Sequence, residues 1–354
     1  MLEVRSFDGT AEELSDFVFQ QWCATYEGRM LVPHWGADYF RWQLQMDDPQ
    51  RRCHLIAAYR GAKLAGVVLH FPMQFAIGKD VFTGSQASWL SVSPEFRGQG
   101  VGSALNRGSR AFHRDRKLRF QLGFAYFGHR ASLASRFWLK SQTDNTTPIR
   151  SAGFWIRILD SKATAEWNLN RWESGLTTIV SPLIPPPKVD SRPSLTIRPV
   201  RTDDVTTCLA LVDRATSHCD LRIVWNEETL SRQLGLHGFS KSLVAEVDGE
   251  VKGFVTFHIL PIVGRNKVPV GILDLVVVSD LASSDRNSLV DAALLALQQE
   301  GAAFVLKLRV GDHPAGLFLR RGWYYQLPQS HVLVTWAEDA QKLPPLKRLH
   351  VLWR

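Results

Sequence analysis

Ser91-Val92-Ser93-Pro94-Glu95-Phe96-Arg97-Gly98-Gln99-Gly100-Val101-Gly102 is the stretch on which the reading of this chain turns. An apolar, β-rich run ends at Val92, and Pro94, which has no N–H to give, ends its hydrogen bonding. Glycines at 98, 100 and 102 then enter a helix predicted over residues 101–116. Glycine lets backbone N–H groups approach a ligand closely, and a helix start adds unpaired donors and partial positive charge. The combination is an anion site, with Arg97 as a fixed cation beside it. The spacing excludes two other phosphate loops. It holds no G-x-G-x-x-G and no Gly-Lys-Ser/Thr, and no βαβ unit opens the chain.

Outward from this loop, one order of elements occurs twice. A strand and a helix come first, at residues 2–6 and 11–25, and again at 195–200 and 203–216. A hairpin follows, 54–59 with 64–71 around a turn at 60–63, and 242–247 with 251–259 around 248–250. A strand and helix come next, 87–92 into 101–116 and 271–278 into 286–300. Each set closes on a strand and a short helix, 119–127 with 131–140 and 303–310 with 314–321. Between the sets lies a proline-dense stretch, residues 181–193, that favours extended geometry and reads as a semi-rigid spacer. The expected division is 1–165, a linker segment 166–194, a second domain 195–338 and a tail 339–354.

Length and composition fit this division. A chain of 354 residues accommodates two domains of roughly 150 residues each. With 45% hydrophobic and 21% charged residues it is ordinary globular material rather than a disordered or fibrous chain. The formal charge of +8 suits an anionic partner: a phosphorylated cofactor, an acidic carrier protein, nucleic acid or an anionic membrane. Lys and Arg spread over a solvated surface explain it equally. Cys23, Cys53, Cys208 and Cys219 have no metal-ligand spacing, so no metal is expected, and a chain of this size needs no disulfide framework. No signal-peptide order and no long apolar run occur, so the expectation is a cytoplasmic protein without a membrane segment. The one basic run, residues 107–119, reads more simply as the exposed face of the helix after the loop than as a nucleic-acid surface.

Arg97-x-x-Gly100-x-Gly102 after Val92-x-Pro94 resembles motif A of the GCN5-related N-acetyltransferase (GNAT) superfamily, in which Arg or Gln is followed at fixed spacing by Gly and then Gly or Ala. The order of elements over residues 2–140 resembles that family too. The resemblance implies an α/β (α+β) chain of two tandem GNAT-like domains, each a bent, mixed, mostly antiparallel sheet flanked by helices. It implies that acyl-CoA lies where the sheet splays, its pantetheine along Leu90, Ser91 and Val92. Its pyrophosphate would rest on the amides of Arg97, Gly98, Gln99, Gly100, Val101 and Gly102. The second half resembles the family more faintly: residues 315–323, Ala-Gly-Leu-Phe-Leu-Arg-Arg-Gly-Trp, are similar to its closing motif. There the counterpart of the phosphate loop, residues 279–287, has no glycine and carries Asp280 and Asp285, which would repel a pyrophosphate. A degenerate second copy without CoA is expected.

Acyl transfer to an amine needs a deprotonated nucleophile and a proton for the leaving thiolate. The family often supplies a Glu or water relay from the central strands and a Tyr from the helix after the fifth strand. This chain departs from both. Residues 83–92 carry no acid, and Phe137 or Trp138 falls near the tyrosine position. Tyr126 and His129, at the end of the fifth strand and in the turn after it, are the candidate catalytic groups. Glu95 and the carboxylate of Arg354 are more distant substitutes, and direct transfer by positioning and an oxyanion contact is a further route. The aromatic residues of 39–42, 120–127 and 154–155 either line an acceptor site or fill the core. The leading expectation is an N-acyltransferase with acetyl-CoA as donor and an amine of unknown identity as acceptor. A non-catalytic acyl-CoA-binding scaffold and a transferase served by an acyl carrier protein are the alternatives.

Overall fold

The computed structural model describes residues 1–127, 145–180, 184–190, 192–319, 321–338 and 341–354. The helix expected over 131–140, with Phe137 and Trp138, and the candidate His129 lie outside them. The chain forms two compact units: Met1–Ala152 with Pro328–Lys347 and Arg354, and Gly153–Leu327 with Arg348–Trp353.

In the first unit, β1 (Leu2–Ser6) leads into α1 (Ala11–Tyr26), then α2 (Ala37–Leu44), β2 (Leu55–Arg60), β3 (Lys63–Ile77), β4 (Asp80–Val92), α3 (Val101–Asp115) and β5 (Phe120–Tyr126). A capping box starts α1: the Thr10 hydroxyl accepts from the Glu13 N–H at 3.1 Å, and the Glu13 carboxylate accepts from the Thr10 N–H at 2.7 Å. The strands lie side by side in the order β1-β2-β3-β4-β5, followed by Ser330–Trp336 and the first half of β6 (Thr146–Ile158). Every neighbour is antiparallel except β4 and β5, which run parallel. A long connection is obligatory between parallel strands, and α3 supplies it.

Two kinds of contact fix α3, whose N-terminus is the quoted loop. The first is apolar: Phe96, Val101 and Leu105 are buried with Ile56, Ala58, Ala65 and Val68, each large side chain contributing about 2 kcal/mol of burial. A Cβ on Gly108 would meet Val4 Cγ1 at 2.7 Å, so glycine there permits the close approach of α3 to β1. The second is a buried polar chain. His113 Nδ1 donates to the Ser109 carbonyl at 2.6 Å, leaving Nε2 to accept from the Ser85 hydroxyl at 2.8 Å. Ser85 Oγ also lies 3.3 Å from His70 Nδ1, and Ser109 Oγ lies 2.9 Å from both His70 Nε2 and Gln121 Oε1. Burial pushes His70 well below the ordinary imidazole range and His113 down to about 4, so the ring that accepts from Ser85 is neutral.

The second unit repeats this order. After α4 (Ser161–Trp167) and α5 (Arg171–Val180) come β7 (Leu195–Pro199), α6 (Val205–Thr216), β8 (Lys241–Val247), β9 (Glu250–Val263), β10 (Lys267–Val277), α7 (Ser283–Gln299) and β11 (Phe304–Arg309). Its strands are ordered β7-β8-β9-β10-β11, followed by the second half of β6. Among these five strands the parallel pair is again the last, β10 with β11. Its core gathers Val255, Phe257, Leu273 and Val305 against Leu289, Ala293 and Leu297 of α7. The described part of the proline-rich stretch is fastened to this unit. Arg157 donates to the Pro185 carbonyl, and the Lys188 N–H donates to Asp291 at 3.0 Å.

Candidate functional site

The loop after β4 is built to present backbone donors. Pro94–Phe96 forms one 3-10 turn, anchored by the buried Phe96 ring and by the Ser93 N–H on the Ala65 carbonyl at 2.9 Å. Gly98 and Gly100 then adopt φ of +74° and +81°. A Cβ on either would project into open space, so the backbone angle and not crowding requires glycine. Gly100 is the N-cap of α3 and brings no capping side chain. The first helical bond runs from the Ala104 N–H to the Gly100 carbonyl at 2.9 Å. Among the described residues, no backbone acceptor meets the N–H groups of Gly98, Gly100, Val101, Gly102 or Ser103. These are the orphan donors that an anion satisfies.

Arg97 and Gln99 hold the loop in shape. The Arg97 guanidinium donates from Nε to the Val92 carbonyl at 3.2 Å and from Nη2 to Thr25 Oγ1, tying the loop to β4 and α1. Gln99 Nε2 donates to the Glu95 carbonyl at 2.9 Å. The Glu95 carboxylate pairs with Lys63 at 3.2 Å in an exposed position, and such a pair contributes little.

The strand leading to the loop has an open edge. Strands β4 and β5 pair only at Ser85–Gln121 and Gln86–Leu122, and from Ala87 onward they separate. On its other edge β4 stays paired with β3, but the register slips: Val67 faces Ser91 while Leu69 faces Ser88. The surplus residues sit in a β-bulge at Trp89 and Leu90, and Trp89 takes φ +59°. Leu90, Ser91 and Val92 thus lie on the segment that β5 leaves free. Ser91 Oγ donates to the Trp89 carbonyl and accepts from Trp22 Nε1, each at 3.0 Å. At the narrow end, a Cβ on Gly123 would meet the Ala87 carbonyl at 3.1 Å.

Tyr126 ends β5, half-buried and paired with Ser330. It lies four residues beyond Leu122, the last β5 residue paired with β4, on the diverging part of the strand. The structure also brings in Ser88 and Trp89, to which the linear reading gave no role, and places Arg354, named there as a distant substitute. Ser88 Oγ donates to the main-chain oxygen of Arg354 at 2.8 Å. Arg354 is itself buried, its Nε on Gln43 Oε1 at 2.6 Å and its guanidinium 5.1 Å from the Trp42 ring centre. Trp89 is buried among Trp35, Tyr39 and Phe40, with ring centres 5.6–6.2 Å apart. The aromatic run at 39–42 is therefore core, and its rings wall the bulge. No periodicity could have paired Ser88 with Arg354, which are joined only through the fold.

The corresponding loop of the second unit differs in chemistry. Helix α7 starts after Ala282, again without a capping side chain. Asp280 pairs with Arg214 at 2.9 Å, and the buried Asp285 pairs with Arg192. Arg286 Nε donates to the Leu281 carbonyl at 2.6 Å. Strands β10 and β11 pair from Val270–Phe304 to Leu273–Lys307 before they part, and β10 bulges at Asp274. The separation of the strands repeats, while this helix start has no glycine and carries two carboxylates in ion pairs. Among the described residues, no group of His, Cys, Asp and Glu could hold a metal ion, and no helix is long and apolar enough to cross a membrane.

No family model and no curated protein matches the chain by sequence. Solved structures match it by fold. Saccharomyces cerevisiae N-myristoyltransferase with bound myristoyl-CoA superposes with a TM-score of 0.74 at 14% identity, covering 100% of this chain and 89% of that one. A GCN5-related N-acetyltransferase from Anabaena variabilis gives 0.55 at 13% identity, over 94% of this chain and 72% of that one. Another from Kribbella flavida gives 0.51 at 16%, over 94% and 71%. With the doubled strand order, the splayed parallel pair and the glycine-rich helix start already in place, these likenesses show that the chain has the GCN5-related N-acetyltransferase fold, in tandem.

Proposed function

We propose that this chain is an N-acyltransferase that takes its acyl group from a coenzyme A thioester bound in the first unit. The observation that carries the reading is the open edge of β4 from Ala87 to Val92, running straight into the orphan donors of the loop. An extended pantetheine would pair with that edge, while the pyrophosphate rests on the N–H groups of residues 98–103. The similar yeast enzyme, an N-myristoyltransferase solved with myristoyl-CoA, supports an acyl-CoA donor. Acetyl-CoA is the donor we take first, with an amine as acceptor. The amine would meet the main-chain oxygen of Arg354, held beside β4 by Ser88, and Tyr126 would stand across the opening. In this reading Arg97 fixes the loop and adds its positive charge. The developing oxyanion is met by backbone donors at the bulge, in line with direct transfer.

A panel of acyl-CoAs in thermal shift, followed by a thiol-release screen over amines, tests this reading. Stabilisation by acyl-CoA with no thiol release from any amine would favour the non-catalytic scaffold instead. If Tyr126 or His129 handles a proton, Tyr126→Phe or His129→Ala lowers turnover at least about tenfold. Acetyl-CoA binding should change little, and full activity of both variants in steady-state kinetics would clear them.

The second unit is read as a copy that no longer binds CoA. Its helix start lacks glycine, and the carboxylates of Asp280 and Asp285 stand near where a pyrophosphate would sit. Calorimetry on the full chain should therefore find one CoA site per chain. Two equivalent sites would contradict this reading of the second loop.

A further inference from the structure

The outer face of α3 carries a row of arginines. Spacings of four, three and four put Ser103, Arg107, Arg110 and Arg114 on one side of the helix. The opposite side is the buried one, with Val101, Leu105, Ser109 and His113. Past the helix end the row continues into Arg116, Lys117 and Arg119, all exposed. Among the described residues, no carboxylate pairs with any of these arginines or with Lys117. The 3-10 turn Pro49–His54 extends the basic surface. It packs on α3 through His54 and Phe112, whose ring centres are 5.4 Å apart, and adds Arg51 and Arg52. Burial pushes His54 down to about 4, and Arg51 and Arg116 add to the shift, so the positive potential reaches the ring. Acids are few here: Asp115 is the one carboxylate on α3, and Asp48 is held by Arg51 at 3.7 Å. Like charges three and four apart weaken a helix, so the row costs α3 stability.

Resting on the reading that the first unit holds an acyl thioester, we infer that this face docks an acidic acyl carrier protein, whose phosphopantetheine arm enters along the open edge of β4. Place and chemistry both carry the inference. The row starts at Ser103, whose N–H is one of the orphan donors of the loop, so a partner lying on the row stands within reach of them. The phosphate that joins the arm to its carrier would take the donors that the pyrophosphate of CoA would use. From Arg107 to Arg114 the row runs about 10 Å, two helical turns, which suits one acidic helix laid alongside. Arginine grips carboxylates through paired N–H groups. Among the described residues, no exposed large apolar side chain lies on α3 or on the 3-10 turn. The face therefore lacks the stacking platform of a single-stranded nucleic-acid site and the apolar anchor of a membrane-surface helix. In the transfer the acceptor nitrogen bonds to the thioester carbonyl carbon and the C–S bond breaks. The proton lost by the amine ends on the thiol of the carrier's arm.

The test uses the full chain and the source organism's own acyl carrier protein, loaded with an acetyl group. Calorimetry at low salt compares wild-type protein with Arg107→Glu/Arg114→Glu, both at exposed positions. Acetyl-CoA is titrated into each in parallel. The double variant should lose at least about twentyfold in carrier affinity, because two attractions become repulsions, while acetyl-CoA affinity stays within about twofold. Added salt should weaken carrier binding to wild-type protein steeply. Arg107→Lys/Arg114→Lys should keep most of the affinity, since it keeps the charge. If the glutamate variant does not fold, Arg107→Gln/Arg114→Gln should show the same loss at smaller size. Unchanged carrier affinity in a folded variant overturns the inference. An equal loss of acetyl-CoA affinity also overturns it, because the row then belongs to the CoA site. Wild-type protein that binds acetyl-CoA but not the carrier, or that prefers a nucleic-acid duplex to the carrier, overturns the docking surface and leaves the thioester reading in place. Failure to bind either acetyl-CoA or the carrier removes both.

Discussion

Gly100→Asp is expected to abolish the stabilisation of this protein by acetyl-CoA while leaving it folded. The position has φ +81° and open space where a side chain would project, so the substitution disturbs no packing. Aspartate is tolerated in the left-handed region better than most residues. Its carboxylate would stand among the unpaired N–H groups and repel a pyrophosphate. At about 4 Å and an effective dielectric constant near 20, one such like-charge pair costs about 4 kcal/mol. A loss of affinity of at least about a hundredfold follows. Gly100→Asn separates charge from shape, since it has nearly the same size and the same backbone tolerance. Calorimetry should find the asparagine variant weakened far less than the aspartate variant. Unchanged acetyl-CoA affinity in folded Gly100→Asp protein would remove the central claim about the loop.

Acid should destabilise the protein well above the pH at which carboxylates titrate. Burial lowers His70 well below its ordinary value, takes His113 and His313 down to about 4, and takes His350 to about 3. Each is neutral in the folded state at pH 5, whereas in the unfolded chain each titrates near the ordinary value of about 6.5. The unfolded state therefore binds more protons, and stability falls as pH drops from about 6.5 toward the folded values. At pH 5 one such histidine has withdrawn at most about 2 kcal/mol. For the first unit, His70 and His113 together correspond to a fall in melting temperature on the order of 10 °C between pH 7.5 and pH 5. Asp291, raised by burial, works in the opposite direction, and Asp312, lowered to about 2 beside Lys307 despite its burial, adds its loss only below pH 4. His113→Gln should flatten the pH dependence of the first unit's melting. A flat profile in wild-type protein would show that these rings are less enclosed than the packing of α3 implies.

Both expectations follow from how α3 is held. Its N-terminus carries the anion loop, and its last turns carry Ser109 and His113 in the buried chain beneath the sheet. Residues 91–102 made the first feature legible, because glycine at 98 and 100 and proline at 94 act through local backbone chemistry. The second was hidden. His70, Ser85, Ser109, His113 and Gln121 come from four elements, and nothing in their separations announces that they share hydrogen bonds.

The sequence by itself determined the repeated order of elements, the helix start at residues 98–102 and the contrast between that loop and the one at 279–287. These depend on turn residues, on short-range apolar patterning and on charge, which act over a few neighbouring positions. Only the tertiary structure decided which strand edges stay unpaired. It separated β4 from β5 after Gln86, placed the bulge at Trp89, and brought Arg354 to Ser88. It likewise returned residues 328–347 to the first unit and divided β6 between the two. Strand pairing and bulge register are set by contacts between segments far apart in the chain, and those contacts leave no periodic trace in either partner.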